Sequence, residues 1–137
     1  MTFKINQYLI QVMLTLFGCV ALIDSVLAAD TSPAELQALY EKLAGRSADA
    51  AKGKKFFTTA YANDTTCATC HGNPPIQPSR HASTGKSIAA LSPNVNADRF
   101  NDNAKVEKWF RRNCKDVLNR ECTAPEKADV LAYLRIF

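Results

Sequence analysis

Residues 64–73, Asp64-Thr65-Thr66-Cys67-Ala68-Thr69-Cys70-His71-Gly72-Asn73, hold the pattern from which the rest of the chain is read. Cysteines three positions apart, with a histidine directly after the second, make CxxCH, the attachment pattern of covalently bound c-type haem. The spacing has a mechanical reason: on a helical turn, thiols at i and i+3 share one face. From there they reach the two porphyrin vinyl groups, and the adjacent histidine is aimed at the iron. Other chemistries also use paired cysteines. A redox dithiol normally follows a strand in a βαβ unit, and half of a zinc site needs two more ligands. No strand pattern precedes Cys67, and the remaining cysteines lie far along the chain.

Upstream, residues 1–29 carry a single early charge at Lys4, an apolar run from Tyr8 to Ile23, and small residues at Ala28 and Ala29. That is the layout of a secretory signal peptide, removed to leave residues 30–137 as one mono-haem domain exported to the periplasm. The run approaches membrane-spanning length, but Gln11, Thr15, Asp24 and the small-residue exit argue for cleavage. Leu16-Phe17-Gly18-Cys19 loosely matches a lipoprotein cleavage box, though Phe17 is too bulky for it. Cleavage removes one Lys and one Asp, so the net charge stays at +4. That excess is small and dispersed, which argues against a nucleic-acid partner. Export also implies an oxidising compartment, where cysteines not used by haem pair. Only Cys114 and Cys122 are left over in the exported part.

The exported part reads as all-α, with four helices and one long loop. Ser32-Pro33-Ala34-Glu35 combines an N-cap, a proline at the first helical position and a capping-box glutamate. Leu36, Leu39, Tyr40 and Leu43 then recur at helical spacing until Gly45. A second helix is expected over about Ala48–Tyr61, with Gly53, Phe56 and Phe57 available for packing. Residues 72–93 contain Pro74, Pro75, Pro78, Gly85 and Pro93 and read as irregular loop over the cofactor. A third helix begins near Asp102 or Asn103 and sets Val106, Trp109, Phe110 and Asn113 on one face. Trp109 and Phe110 are candidate walls of the haem pocket. The last helix opens with a second capping box, Thr123-Ala124-Pro125-Glu126, and continues through Val130, Leu131, Tyr133 and Leu134.

The second axial position is harder to assign. The chain has two methionines, Met1 and Met13, and both fall in the leader, so His/Met ligation is excluded after cleavage. The candidates are His81, a lysine such as Lys86, a cysteine, Asn113, or no residue at all. His81 is the only other histidine, yet it lies ten residues after His71. At about 3.3 Å per extended residue a Pro-rich stretch of that length reaches around the porphyrin with little slack. Asn113 ends an apolar stripe and stands beside Cys114, whose disulfide with Cys122 would pin the backbone next to a weak ligand. A C-capping or core asparagine fits the same spacing.

The segments "DTSPAEL", "AKGKKFF", "CATCH", "STGKSIAALSP", "RFNDNAKVEKWFRRNC" and "ECTAPEKADVLAYL" together resemble the sphaeroides haem protein (SHP) family of oxygen-binding cytochromes c, to which cytochrome c'' is related. The resemblance implies a class I cytochrome c-like fold around one covalent haem c, held by Cys67 and Cys70 with His71 as proximal ligand. It implies a Cys114–Cys122 disulfide, with the residue before it, here Asn113, as distal ligand; the cytochrome c'' branch carries histidine there. It also implies that a di-haem cytochrome c or a membrane cytochrome b is the redox partner, while the Gly53 and Phe57 spacing, which resembles that of cytochromes of the mitochondrial type, implies that these two residues meet Tyr133. Ala90 and Ser92 stand where the family pattern leads one to expect Pro and Ala.

Three functional classes follow: an electron carrier, a binder of O2, NO or CO, and an enzyme that reduces O2 or oxidises NO. No carboxylate or histidine sits in the face formed by Val106, Trp109, Phe110 and Asn113, so the acid–base pair an enzyme would need is not evident. Arg111, Arg112 and Lys115 form a basic cluster beside that face, suited to propionates or an acidic partner.

Overall fold

A computed structural model describes residues 31–137; the proposed leader and Cys19 lie outside the described residues. Helix α1 (Pro33–Ala44) starts at Ser32, whose hydroxyl accepts from the Glu35 amide while the Glu35 carboxylate takes the Ser32 amide in return. Gly45, in the left-handed region at φ 66°, closes it. Helix α2 (Ala50–Thr58) is shorter than expected at both ends. The Asp49 carboxylate caps the amides of Ala51 and Lys52, and after Thr58 the chain turns through a short 3-10 segment, Ala62–Asp64.

Helix α3 (Cys67–His71) is the single turn made by CxxCH, opened by a reciprocal Thr66–Thr69 cap. The loop after it is not wholly irregular: β1 (Ser79–Arg80) pairs antiparallel with β2 (Ser87–Ile88), in register Ser79 to Ile88 and Arg80 to Ser87. Proline content conceals this because the prolines flank the ribbon and leave its own residues free to pair. Helix α4 (Asn103–Leu118) begins at the Asp102 cap and ends at Asn119 in the left-handed conformation. Helix α5 (Ala124–Leu134) follows the Thr123 capping box. Among the described residues no helix is long and apolar enough to cross a membrane.

α5 is the hub. Ala128 and Leu131 join Leu36, Tyr40 and Val106 in one buried cluster, while Val130, Tyr133 and Leu134 join Phe57 in another. Phe100 and Phe110 pack on both. The α2–α5 crossing is close because position 53 is glycine: a Cβ there would stand 1.9 Å from the Asp129 carbonyl oxygen and 3.0 Å from Tyr133 Cβ. One turn later Phe57 meets the Tyr133 ring at 5.5 Å. The expected meeting of Gly53, Phe57 and Tyr133 is therefore present, and Asp129 adds a lock that sequence reading missed. Its carboxylate, 5% exposed, accepts two hydrogen bonds from Arg46 at 2.9 and 2.7 Å and one from the Asp49 amide at 2.8 Å. Burial alone would raise the Asp129 pKa, but these donors outweigh it and hold the carboxyl below its ordinary range.

Candidate haem site

The α3 turn sets Cys67 and Cys70 on one side as free thiols, not joined to each other. Cys67 packs against the Phe57–Tyr133 cluster, and burial pushes its thiol up to about 11. Cys70 Sγ accepts from the Ala82 amide at 3.4 Å, and its carbonyl takes the Ser79 hydroxyl, so the β1–β2 ribbon is fastened to the CxxCH turn. The His71 ring lies 6.3 Å from the Phe57 ring, which itself rests on Tyr133; the Tyr133 hydroxyl donates to Asn73 Oδ1 at 3.0 Å. Burial first, then the positive charges of Arg99 and His81, lower the His71 pKa to about 4. Its imidazole is thus neutral at physiological pH, the form that binds metal.

Haem fits this arrangement on observations of the chain itself. His71 Nδ1 is buried without a partner, the thiols stand unpaired at the required spacing, and one neutral imidazole is presented beside them. The zinc alternative fails, since among the described residues no three His, Cys, Asp or Glu side chains gather into a metal cluster. A dithiol site after a strand fails too, because the described strands both follow α3.

Asn113 stands in the second half of α4, half-buried, and its carboxamide has no hydrogen-bond partner among the described residues. Directly after it, Cys114 forms the expected disulfide with Cys122 at a Cα separation of 5.6 Å, tying the end of α4 to the start of α5. The two aromatic residues on that face differ. Phe110 is half-buried and meets Tyr40 edge-on at 5.9 Å, whereas Trp109 is 44% exposed with the Arg112 guanidinium 5.6 Å from its ring. Arg111 pairs loosely with Glu121 at 3.7 Å on the surface. Lys86 is exposed on the ribbon. His81 sits at the ribbon turn, its Nδ1 facing the amides of Ser83 and Thr84 at 3.4 and 3.3 Å.

Sequence reading passed over Arg99 and marked Ser92 only as a departure from the family pattern. Arg99 is half-buried, and its guanidinium donates to the Ala90 and Ala89 carbonyls at 2.9 and 2.6 Å. Ser92 is fully buried. No local spacing marks either residue, because both act through contacts made across the loop. A polar depression lined by Asp98, Asn101, Asp102 and Lys105 shares no residue with the CxxCH turn.

Comparison with known proteins matches this geometry. A family model described as "Domain of unknown function (DUF1924)" covers residues 43–134. The cytochrome c-type protein SHP of Cereibacter sphaeroides is 49% identical over 112 residues, which span 79% of this chain and 86% of that protein. Cytochrome c'' of Methylophilus methylotrophus is 42% identical over 86 residues, 60% of each chain. Among solved structures, oxidized SHP, described as an oxygen binding cytochrome c, superposes with a TM-score of 0.73 at 48% identity, covering 80% of this chain and all of that one. Oxidized cytochrome c'' from M. methylotrophus gives 0.70 at 34% identity, over 74% of this chain and 91% of that one. With 49% of the aligned residues identical over 86% of that relative, the chain belongs to the SHP family of c-type cytochromes, and its cofactor is covalently bound haem c.

Proposed function

We propose that this protein is an exported electron-transfer cytochrome in which Asn113 is a redox-labile distal ligand, opening the reduced site to O2 or NO. One observation carries the reading: a half-buried carboxamide on α4, without a protein partner among the described residues, is anchored next to a disulfide. Among the described residues no other protein group claims the carboxamide, so it stays available as a donor to the cofactor. The relative SHP, described as oxygen binding, supports the gas ligand.

Cys67 and Cys70 would hold the cofactor by thioethers and His71 would supply an iron ligand. When bound, the haem would supply reversible one-electron exchange and a place for small gases. Everything else rests on the chain. His71 stays neutral because its pocket is buried, and Phe57 and Tyr133 keep water from its ring. Asn113 would offer a weak donor better suited to the oxidised, harder centre than to the reduced one, and the Cys114–Cys122 bond would keep its carboxamide beside the site. Not held by the reduced centre, that carboxamide would be a hydrogen-bond donor for a small gas. The same reading sets the protein in the periplasm, with a di-haem cytochrome c or membrane cytochrome b as redox partner.

The testing variant is Asn113→Val. Its oxidised form is expected to show a five-coordinate, high-spin spectrum while its reduced form matches wild type; an unchanged oxidised spectrum would remove Asn113 from the ligand set.

A further inference from the structure

Among the described residues, two buried side-chain polar atoms lack a hydrogen-bond partner: His71 Nδ1 and Ser92 Oγ. Buried polar groups are nearly always paired, so each orphan asks for a reason. Contacts link the segments that carry them. Leu91 packs on the Phe57 cluster, whose Phe57 ring is the one beside His71. The amides of Leu91 and Ser92 both donate to the Pro75 carbonyl at 3.0 Å, four residues along the chain from His71. Arg99, one of the charges felt at His71, is bonded to Ala89 and Ala90 in the same segment.

Donor and acceptor capacity then decides the pairing. A histidine that gives Nε2 to iron carries its proton on Nδ1 and has to donate it. The Pro75 carbonyl has two lone pairs and already receives two amides. Ser92 Oγ has lone pairs to spare and is 0% exposed, so water does not compete for them. The two side chains do not bond to each other as they stand, yet each lacks what the other offers.

We propose that Ser92 is a positioning residue for the proximal ligand: in the haem-loaded protein its Oγ accepts a hydrogen bond from His71 Nδ1–H. The bond fixes the ring's rotation and strengthens the imidazole as a donor, which favours the oxidised state. This rests on His71 being the proximal ligand.

The test uses the full haem-loaded protein with Ser92→Ala and Ser92→Thr. Resonance Raman of the reduced protein reads the iron–histidine stretch, and spectroelectrochemistry reads the midpoint potential. The Ala variant is expected to lower the stretching frequency and raise the potential, with Thr restoring both. Unchanged values in the Ala variant overturn the proposal. A wild-type protein without an iron–histidine line counts against the open reduced site alone; the potential still decides Ser92, because it reads the bond whatever the other axial ligand is. If the Ala variant does not load haem, Ser92→Thr and Ser92→Val, alike in shape and different in the hydroxyl, make the same comparison, and equal potentials overturn it.

Discussion

At the scale of single residues the chemistry turns on donors that have no protein partner. Asn113 is one, and its neighbours on α4 show why it is a poor core residue: the helix buries Val106, Cys114 and Val117 but leaves Asn113 only half-buried. Replacing it with a strong ligand therefore has a definite outcome. Asn113→His is expected to give fully low-spin, six-coordinate haem in the oxidised protein, read by absorption and EPR spectra. An oxidised spectrum unchanged from wild type would show that position 113 does not reach the iron. His81 supplies the opposite control. Its Nδ1 is occupied within the ribbon turn, so His81→Ala is expected to leave the oxidised and reduced spectra as they are. CxxCH marked Cys67, Cys70 and His71 as candidates at once, since the three lie within five positions of sequence. Arg99 was not legible, and Ser92 showed only as a departure from the family pattern, because what marks their roles is burial and a bond across the loop.

At the scale of elements, the site is held by two cross-links to α5. One is the α2–α5 crossing. Gly53→Ala places a methyl 1.9 Å from the Asp129 carbonyl, closer than any real contact, so the helices have to part. Overpacking of this kind costs about 1 to 3 kcal/mol. A lowered thermal midpoint is expected, together with altered His71 ligation because Phe57 moves with α2. The other cross-link is Cys114–Cys122, which closes a short loop and on chain-entropy grounds stabilises by about 2 to 3 kcal/mol. Replacing both cysteines by serine is expected to lose that stability in denaturant melts and to blur the oxidised spectrum into a mixture of spin states. Helix starts were readable from their caps, as at Ser32, Asp102 and Thr123. The ends of α2 were not, since Asp49 competes as a cap with the apolar pattern around it. The β1–β2 ribbon was hidden by two-residue strands too short to show alternation.

At the scale of the whole molecule, Asp129 joins the α1–α2 connection to α5 through Arg46 and Asp49. Its folded pKa is depressed, so its contribution to stability is complete above the unfolded carboxylate value of about 4 and is lost as pH falls through the folded value. Melting temperatures of wild type are expected to drop below about pH 4 more steeply than those of Asp129→Asn, which begins lower. Parallel slopes would show that the lock contributes nothing to acid sensitivity. The all-α domain followed from helix pattern, while the class I architecture came only with the family resemblance. The Arg46–Asp129 lock spans 83 positions, beyond the reach of any local pattern.

The most direct test of redox-labile ligation at Asn113 is the anaerobic absorption spectrum of the purified wild-type holoprotein, oxidised and then reduced with dithionite. A low-spin or mixed oxidised form that becomes five-coordinate and high-spin on reduction is the expected result. Sharp low-spin bands in the reduced protein would mean that a strong second ligand is retained, and would contradict the release of Asn113.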